Sequence, residues 1–191
     1  SFGGGIIYYN KRFNGVEFIT EGVIAASTFN AVEFLNAADG SSLHEVGGGQ
    51  TYQRDLAFNP NSGAIYLSRN SQKAGEPLGS VNVLTGGQAD NLNGYAHFEN
   101  HFIPQGAIAG TYGANSQLIE YDAVNEQIIV PDYAGSQPMM AFYDPAQPEE
   151  PFARVDGSES PNGPFQTPTD AVAVHSTQGE TFVFISDLDA R

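Results

Sequence analysis

One stretch decides the fold: residues 56–68 read Leu-Ala-Phe-Asn-Pro-Asn-Ser-Gly-Ala-Ile-Tyr-Leu-Ser. Two short apolar runs flank a polar centre, whose Asn, Pro and Gly residues are typical of a tight turn. The aromatic and β-branched residues of the runs favour extended backbone. The stretch therefore predicts two antiparallel strands joined by a turn.

The same pattern recurs elsewhere in the chain. Residues 119–132 repeat it with a turn at Asn125, residues 172–187 repeat it with a turn at Gly179, and residues 16–27 hold a weaker copy. Nine Tyr and 13 Phe favour strands, and 22 Gly and 11 Pro divide them into short pieces. No window shows the sustained 3.6-residue period of a helix. The chain is therefore predicted to be all-β.

A third strand follows three of the pairs, around Phe34, Val83 and Phe142. These residues are 49 and 59 positions apart, which fits a four-stranded unit with loops of variable length. The pattern predicts about four β-propeller-type repeats. A β-sandwich is the alternative, because it also produces short alternating strands.

These repeats resemble those of extracellular β-propeller proteins of the NHL, YVTN and lactonase-like kind. In such proteins a strand such as Leu56–Asn59 precedes an "x-Gly-x-apolar-Tyr-apolar-Ser" strand, here Gly63–Ser68. The third strand ends in an "Asp-x-x-Gly" turn, to which Asp39-Gly40 is similar. The resemblance covers residues 16–191 and implies a propeller fold in an extracellular or periplasmic protein. It implies no particular activity.

The chain is expected to form a single propeller-like domain over residues 1–191, or part of a larger one. The last copy ends at Arg191, just after its second strand. Three sources are open for the missing strands: the Ile6–Tyr9 run, further sequence in a larger propeller, or a partner chain.

The charge balance excludes several classes of partner. The chain has 22 acidic and 7 basic residues, a net charge of −15. Such a surface repels nucleic acid and anionic lipid but suits divalent cations and cationic partners. No apolar stretch is long enough to insert into a membrane as a helix. The chain has no Cys, so disulfides, thiolate metal sites and cysteine nucleophiles are excluded.

Acidic residues at strand ends are candidate Ca²⁺ ligands. Asp187 and Asp189 are separated by one residue after a strand, and Asp170 is the expected third ligand. Hard cations such as Ca²⁺ take six to eight oxygen ligands. Asp132 and Asp144 occupy related turn positions, and we expect such turns to converge on a central channel. Solvated turn acids are the competing interpretation.

Two histidines form a further candidate metal pair. His97 and His101 lie four positions apart with Glu99 between them. On a strand the residues at i and i+4 share one face, so a metal site is geometrically feasible. No third ligand is evident nearby, and a structural role is the alternative. This pair falls in residues 88–105, one of two segments predicted to be long loops, the other being residues 144–169.

His175 occupies the position that Asn59 and Asp122 take in the other copies. All three are expected to bond to nearby backbone and hold their turns. A general base at His175 would need a carboxylate within hydrogen-bond reach, and Asp170 is the nearest in sequence. Serines also recur at strand ends, but none lies in a Gly-x-Ser-x-Gly elbow.

The leading functional hypothesis is a non-enzymatic extracytoplasmic module for binding or assembly. Its loops would recognise a protein or glycan on a rigid β-scaffold. One alternative is a calcium-dependent propeller hydrolase of the lactonase or phytase-like kind, which rests on fold analogy. Another is a structural subunit whose sheet is completed by partner chains through strand addition.

Overall fold

Short strands joined by turns make up the protein, as the alternating apolar pattern predicts. The structure is a computed structural model that describes residues 13–47, 53–69, 80–103, 119–132, 138–166, 168–175 and 181–187. In these ranges the regular elements are antiparallel strands and one short 3₁₀ turn at Leu92–Gly94. The prediction of an all-β protein is confirmed.

The described strands form four open antiparallel sheets in chain order, three with four strands and one with two. Sheet 1 contains β1 (Gly15–Thr20), β2 (Val23–Ser27), β3 (Ala31–Asn36) and β4 (Ser42–Gly47). Sheet 2 contains β5 (Gln53–Phe58), β6 (Ile65–Arg69), β7 (Ser80–Thr85) and β8 (His97–Ile103). Sheet 3 contains β9 (Glu120–Asp122), β10 (Gln127–Asp132), β11 (Met139–Tyr143) and β12 (Ala153–Val155). Sheet 4 contains β13 (Pro168–His175) and β14 (Thr181–Asp187).

The repeat inferred from the sequence corresponds to these sheets. Phe34, Val83 and Phe142 lie on β3, β7 and β11, the third strand of each four-stranded sheet. Each of these strands pairs antiparallel with the second strand of its sheet. The equivalence of the three residues is therefore confirmed.

The two segments predicted to be long loops each contain a strand. Residues 88–105 include β8, which pairs with β7 through Leu84 and Phe98. Residues 144–169 include β12, which pairs with β11. Both are fourth strands at the edge of a sheet, and most of their side chains face solvent. An edge strand needs no apolar alternation, so the prediction of loops was wrong there.

Successive sheets pack face to face and share three apolar cores. All five residues of β6 are buried, and β10 is buried at every position after Gln127. Sheets 2 and 3 therefore bury both faces. Core A lies between sheets 1 and 2 and includes Phe34, Leu56, Leu67, Leu84 and Tyr95. Core B lies between sheets 2 and 3 and includes Tyr66, Val83, Ile128, Val130 and Tyr143. Core C lies between sheets 3 and 4 and includes Ile129 and Met140, with Phe142, Val183 and Ile185 packed against them.

The first strands of the four sheets lie side by side. β1 packs next to β5, β5 next to β9, and β9 next to β13. In sheets 1, 2 and 3 the second, third and fourth strands follow outward from this row, and in sheet 4 the described second strand does so. No helix in the described part of the chain has the length and apolar character needed to cross a membrane.

Antiparallel pairing separates two of the predicted metal ligands. Asp132 ends β10, where it pairs with Met139. Asp144 follows β11, beyond the pair of Ile128 and Tyr143 at the opposite end of the sheet. The expectation that these carboxylates converge was wrong, because consecutive strands run in opposite directions.

Candidate functional site

A cleft of about 1110 Å³ opens between sheets 3 and 4. Its floor is apolar and comes from Phe142 on β11, Phe165, and Val183 and Ile185 on β14. Its wall is the connection from β12 to β13, residues 156–163. A concave surface of this size with an apolar floor could hold a ligand.

The cleft lies between the four described strands of sheet 3 and the two described strands of sheet 4. β14 covers the buried Ile129 and Met140 in core C. Phe142 on β11 and Val155 on β12 line the cleft, and Phe165 packs against the same core. An apolar strip of sheet 3 therefore lines the cleft.

The connection beside the cleft is a sequence of hydrogen-bonded turns. The backbone N–H of Phe165 donates to the Asp156 carbonyl at 2.8 Å, which closes the segment into a loop. The N–H of Ser158 donates to Asp156 Oδ1 at 2.9 Å, and this bond with that of the Ser158 side chain lowers the pKa of Asp156. Gly157 and Gly163 have φ of 76° and 80°, which favours glycine. The loop holds Phe165 over the cleft.

The rim of the cleft is acidic. Asp156, Glu159 and Asp187 lie on it. Arg154 is the cation among the lining residues, and its Nε donates to Asp132 Oδ2 at 2.8 Å. The bond to this fully buried carboxylate raises the pKa of Arg154 and neutralises its charge locally. The cleft therefore combines an apolar floor with a negatively charged edge.

Large aromatic side chains are exposed beside the cleft. Phe184 is 61% exposed and lines it, and Phe182 on the same strand is 50% exposed. Phe152 is 62% exposed and lies with its ring centroid 6.5 Å from that of Phe142. Clustered exposed apolar side chains with a polar rim are typical of interaction sites.

The predicted calcium ligands are only partly within the described residues. Asp187 Oδ2 accepts the backbone N–H of Gln166 at 2.6 Å and so anchors the loop beside the cleft. Asp170 lies on β13 opposite Ser186, one pair along from Asp187. Asp189 lies outside the described residues. Among the residues described, no three His, Asp or Glu side chains are grouped to hold a metal. The calcium site stays a prediction.

His175 meets a carboxylate from the neighbouring sheet. Its Nε2 lies 3.0 Å from Oδ1 of Asp122, and its Nδ1 lies 2.9 Å from Oγ1 of Thr181. The side chain of Asp170, the nearest carboxylate in sequence, lies outside the described part of the chain. Asp122 could not be identified as the partner from sequence, because it is 53 positions away and comes into reach only when sheets 3 and 4 stack.

Asp122 is the centre of a buried hydrogen-bond network at one end of sheet 3. Its side chain accepts the backbone N–H groups of Val124 and Asn125, and the side-chain amides of Asn125 and Gln127. Burial raises the pKa of Asp122, but these hydrogen bonds outweigh it and hold the pKa below its ordinary value. Asn125 Nδ2 also donates to Thr181 Oγ1 at 2.9 Å. The network links sheet 3 to sheet 4.

The turn roles predicted for Asn59 and Asp122 are confirmed. Asn59 Oδ1 accepts the N–H groups of Asn61 and Ser62, and Asp122 acts likewise in its own turn. His175 bridges between sheets, and the turn that follows it lies outside the described residues. Asn61 Nδ2 adds a second link between sheets, since it donates to Glu126 Oε1 at 3.1 Å.

The remaining candidates have structural positions. Ser27 and Ser68 accept the backbone N–H groups of Gly15 and Asp55, at 2.9 and 3.1 Å, and so tie the second strand to the first. His97 lies on the edge strand β8 with its side chain exposed. The side chain of His101 lies outside the described part of the chain. The metal pair of His97 and His101 stays a prediction.

Comparison with known proteins gives a likeness of fold alone. No family model and no curated protein sequence matches the chain. A Bacteroides caccae protein of unknown function is similar over 93% of this chain and 54% of its own, with 14% identity and a TM-score of 0.51. This chain thus spans about half the length of that protein. A nidogen/laminin complex is similar over 93% of this chain and 72% of its own, with 11% identity and a TM-score of 0.50. A computationally designed protein, Ika4, is similar over 95% of both chains, with 10% identity and a TM-score of 0.48.

Proposed function

We propose that this chain is an extracytoplasmic recognition or assembly module built on a β-propeller-type scaffold. Support for the propeller comes from the stacking of the sheets. A sandwich has two sheets that each bury one face, whereas sheets 2 and 3 here bury both. The row of first strands fits blades arranged around an axis. The similarity to two solved structures extends over 93% of this chain, so it involves the arrangement of several sheets and not one sheet alone.

The observation that carries the recognition role is the cleft between sheets 3 and 4. Its apolar floor offers Phe142 and Phe165, and exposed Phe184 extends the surface. Aromatic side chains with a polar rim supply most of the binding energy in protein interfaces. A protein or a glycan is the proposed ligand, and the net charge of −15 disfavours nucleic acid.

Arrays of peptides and of glycans would test the proposal with two matched variants. Phe184→Ser removes an aromatic ring beside the cleft, and Phe18→Ser removes one that is 63% exposed on β1. We expect that some array members bind the wild-type chain and the Phe18→Ser variant but do not bind the Phe184→Ser variant. Equal binding by both variants, or no binding by any, would refute the cleft as the recognition site.

The calcium-dependent hydrolase is a second proposal. It is supported by the pairing of β13 with β14, which brings the backbones of Asp170 and Asp187 to neighbouring positions. A thermal melt of the whole chain in millimolar Ca²⁺ and in EDTA would test it, because a ligand of the folded state raises the melting temperature. An unchanged melting temperature would refute this second proposal.

A further inference from the structure

The hydrogen bonds of His175 connect three side chains in a line. His175 lies opposite Thr181 in the pairing of β13 with β14, so the two side chains share one face of sheet 4. That face is the one toward sheet 3, because Val183 and Ile185 alternate with the same period as Thr181 and pack in core C. Asp122 of sheet 3 approaches the other side of the ring, 3.0 Å from Nε2. We call Asp122, His175 and Thr181 the Thr181 triad.

Donor and acceptor roles fix where the protons of the triad lie. Burial raises the pKa of Asp122, but its hydrogen bonds outweigh burial and hold the pKa below 3.8, so the side chain is ionised at neutral pH. A carboxylate only accepts hydrogen bonds, so His175 Nε2 carries the proton between them. In the neutral ring Nδ1 is then an acceptor, and the Thr181 hydroxyl donates to it across 2.9 Å. The threonine proton therefore points at a base.

Asn125 holds the threonine oxygen from a second direction. Its Nδ2 donates to Thr181 Oγ1 at 2.9 Å and to Asp122 Oδ2 at 2.7 Å. The amide engages one lone pair of Oγ1, and the second lone pair is the one that can attack an electrophile. The side chain of His175 is 29% exposed and Thr181 is partly exposed, so solvent reaches the triad.

We propose that Thr181 is a nucleophile for acyl transfer, with His175 as its general base. A hydroxyl, a base within hydrogen-bond reach and a carboxylate that orients the base are the parts that this chemistry requires. Asp122 and Asn125 are positioning residues, because they act through His175 and Thr181. The activity goes beyond the proposed recognition role and does not use the cleft.

The reaction proceeds in two steps. Thr181 Oγ1 bonds to the carbonyl carbon of an ester or thioester, its proton passes to His175 Nδ1, and the C=O electron pair moves onto the carbonyl oxygen. That pair returns as the bond to the leaving alcohol or thiol breaks, and His175 gives the proton to this leaving group. Water then attacks the acyl-threonine by the same movements, which releases a carboxylic acid and restores the hydroxyl.

A hollow beside the triad defines the class of substrate. It has a volume of about 470 Å³, and Asn125 both lines it and contacts the triad. Three carboxylates line the same hollow, from Glu126, Asp144 and Glu150. Phe152, which is 62% exposed, adds an aromatic ring. Carboxylates and an aromatic face attract an ammonium group, so the substrate is an ester or thioester whose leaving group carries a positive charge.

Thioester hydrolysis by the whole chain provides the test. The probe is acetylthiocholine, which carries a trimethylammonium group, and the matched neutral probe is 3,3-dimethylbutyl thioacetate. Released thiol is measured with a disulfide reagent, which does not react with the chain because the chain has no Cys. We expect kcat/KM to be about tenfold higher for the cationic probe. Peptides from an acid-quenched reaction should carry the acetyl group on Thr181.

Variants separate catalysis from a structural role, with a melting curve to show that each is folded in the assay. Thr181→Val and His175→Gln should each lower kcat about a hundredfold, whereas Thr181→Ser retains a hydroxyl and should remain active. Thr20→Val removes an exposed hydroxyl on β1 and should change nothing. Asp122→Asn should lower kcat and leave KM unchanged, because Asp122 contacts His175 and not the substrate.

Equal rates for the wild-type chain and Thr181→Val would overturn the inference and leave the triad as a structural link between sheets 3 and 4. Acetyl groups spread over many hydroxyls, or hydrolysis no faster than in buffer, would also overturn it. Equal rates for the two probes, with Thr181 acetylated, would overturn the assignment of a cationic substrate.

Discussion

Ile128 and Ile129 are neighbours on β10 and both are fully buried, yet they face two different interfaces. Ile128 lies in core B, where two complete sheets pack together. Ile129 lies in core C, where Met140 is the other fully buried side chain among the residues described and the other described apolar side chains are partly exposed. One strand of one sheet thus contributes to a closed core and to an open cleft.

The difference arises from what faces sheet 3 on each side. On the side of sheet 2, Tyr66 packs with Tyr121 at 5.6 Å and with Phe102 at 5.7 Å between ring centroids. On that side the four described strands of sheet 2 face the four described strands of sheet 3. On the other side the two described strands of sheet 4 and the loop that carries Phe165 face sheet 3. Among the described residues, the side of sheet 3 toward sheet 2 is a filled core, and the side toward sheet 4 borders the cleft.

Truncation of the two isoleucines tests this comparison and gives the largest expected effects. Ile128→Ala should lower the free energy of unfolding by about 4 kcal/mol, because core B cannot collapse around the cavity. Ile129→Ala should cost about 2 kcal/mol, because side chains beside the cleft can move to fill the space. Urea unfolding of each variant measures both values.

The m-value of each unfolding curve is the control, since a changed m-value would show that two-state analysis does not apply to that variant. Equal costs for the two substitutions would mean that core C is packed as rigidly as core B. The distinction between a closed and an open interface would then be wrong.

Removal of the Asp122 carboxylate should have the next largest effect. The network of Asp122 with His175, Asn125 and Gln127 links sheet 3 to sheet 4 through hydrogen bonds. Asp122→Ala leaves several donors without an acceptor and should cost about 2 kcal/mol. Hydrogen exchange should speed up in residues 168–175 and 181–187 more than in sheet 1. Uniform acceleration across all sheets would contradict a local role.

The Asp122 network makes the free energy of unfolding depend on pH. Hydrogen bonds hold the pKa of Asp122 below its ordinary value of 3.8, so the ionised form stabilises the folded state. This contribution is complete above about pH 5 and is lost as the pH falls below 3.8 toward the folded pKa. The stability difference between the wild-type chain and Asp122→Asn should therefore narrow on acidification. A constant difference from pH 6 to pH 3 would contradict this assignment.

The fold was predictable from sequence where strands are buried on at least one face. The runs around Phe34, Val83 and Phe142 carry apolar residues because they lie against another sheet, and the pattern identified each of them. β8 and β12 were missed because an edge strand pairs through its backbone and places few constraints on its side chains.

The candidate site was much less predictable. Phe142, Phe165 and Phe184 come from three separate segments, and each alone looks like an ordinary core residue. Nothing local to Asp122 or His175 marks them as partners, since only the stacking of sheets 3 and 4 brings them together. The turn-forming roles of Asn59 and Asp122 were predicted correctly, because each role depends only on nearby backbone.

Substitutions at two glycines of the loop before Phe165 distinguish the cost of a strained backbone from the cost of a contact with the Phe165 ring. Gly157→Ala and Gly163→Ala both place a side chain at positive φ, which costs about 1 kcal/mol. A Cβ at Gly157 would lie 2.6 Å from the Phe165 ring, whereas one at Gly163 would meet no atom within 4 Å. Gly157→Ala should therefore cost about 1 kcal/mol more than Gly163→Ala.

The smallest expected effect concerns the link between the turns of sheets 2 and 3. Asn61 Nδ2 donates to Glu126 Oε1 at 3.1 Å, and both groups are exposed. Water replaces such a bond readily, so Asn61→Ala should lower the free energy of unfolding by about 0.5 kcal/mol or less. Core B packs sheets 2 and 3 together whether or not this hydrogen bond forms. The Asp122 network, by contrast, is a buried link between sheets 3 and 4. A cost as large as that of Asp122→Ala, measured in the same urea titration, would show that turn contacts rather than cores hold every pair of sheets together.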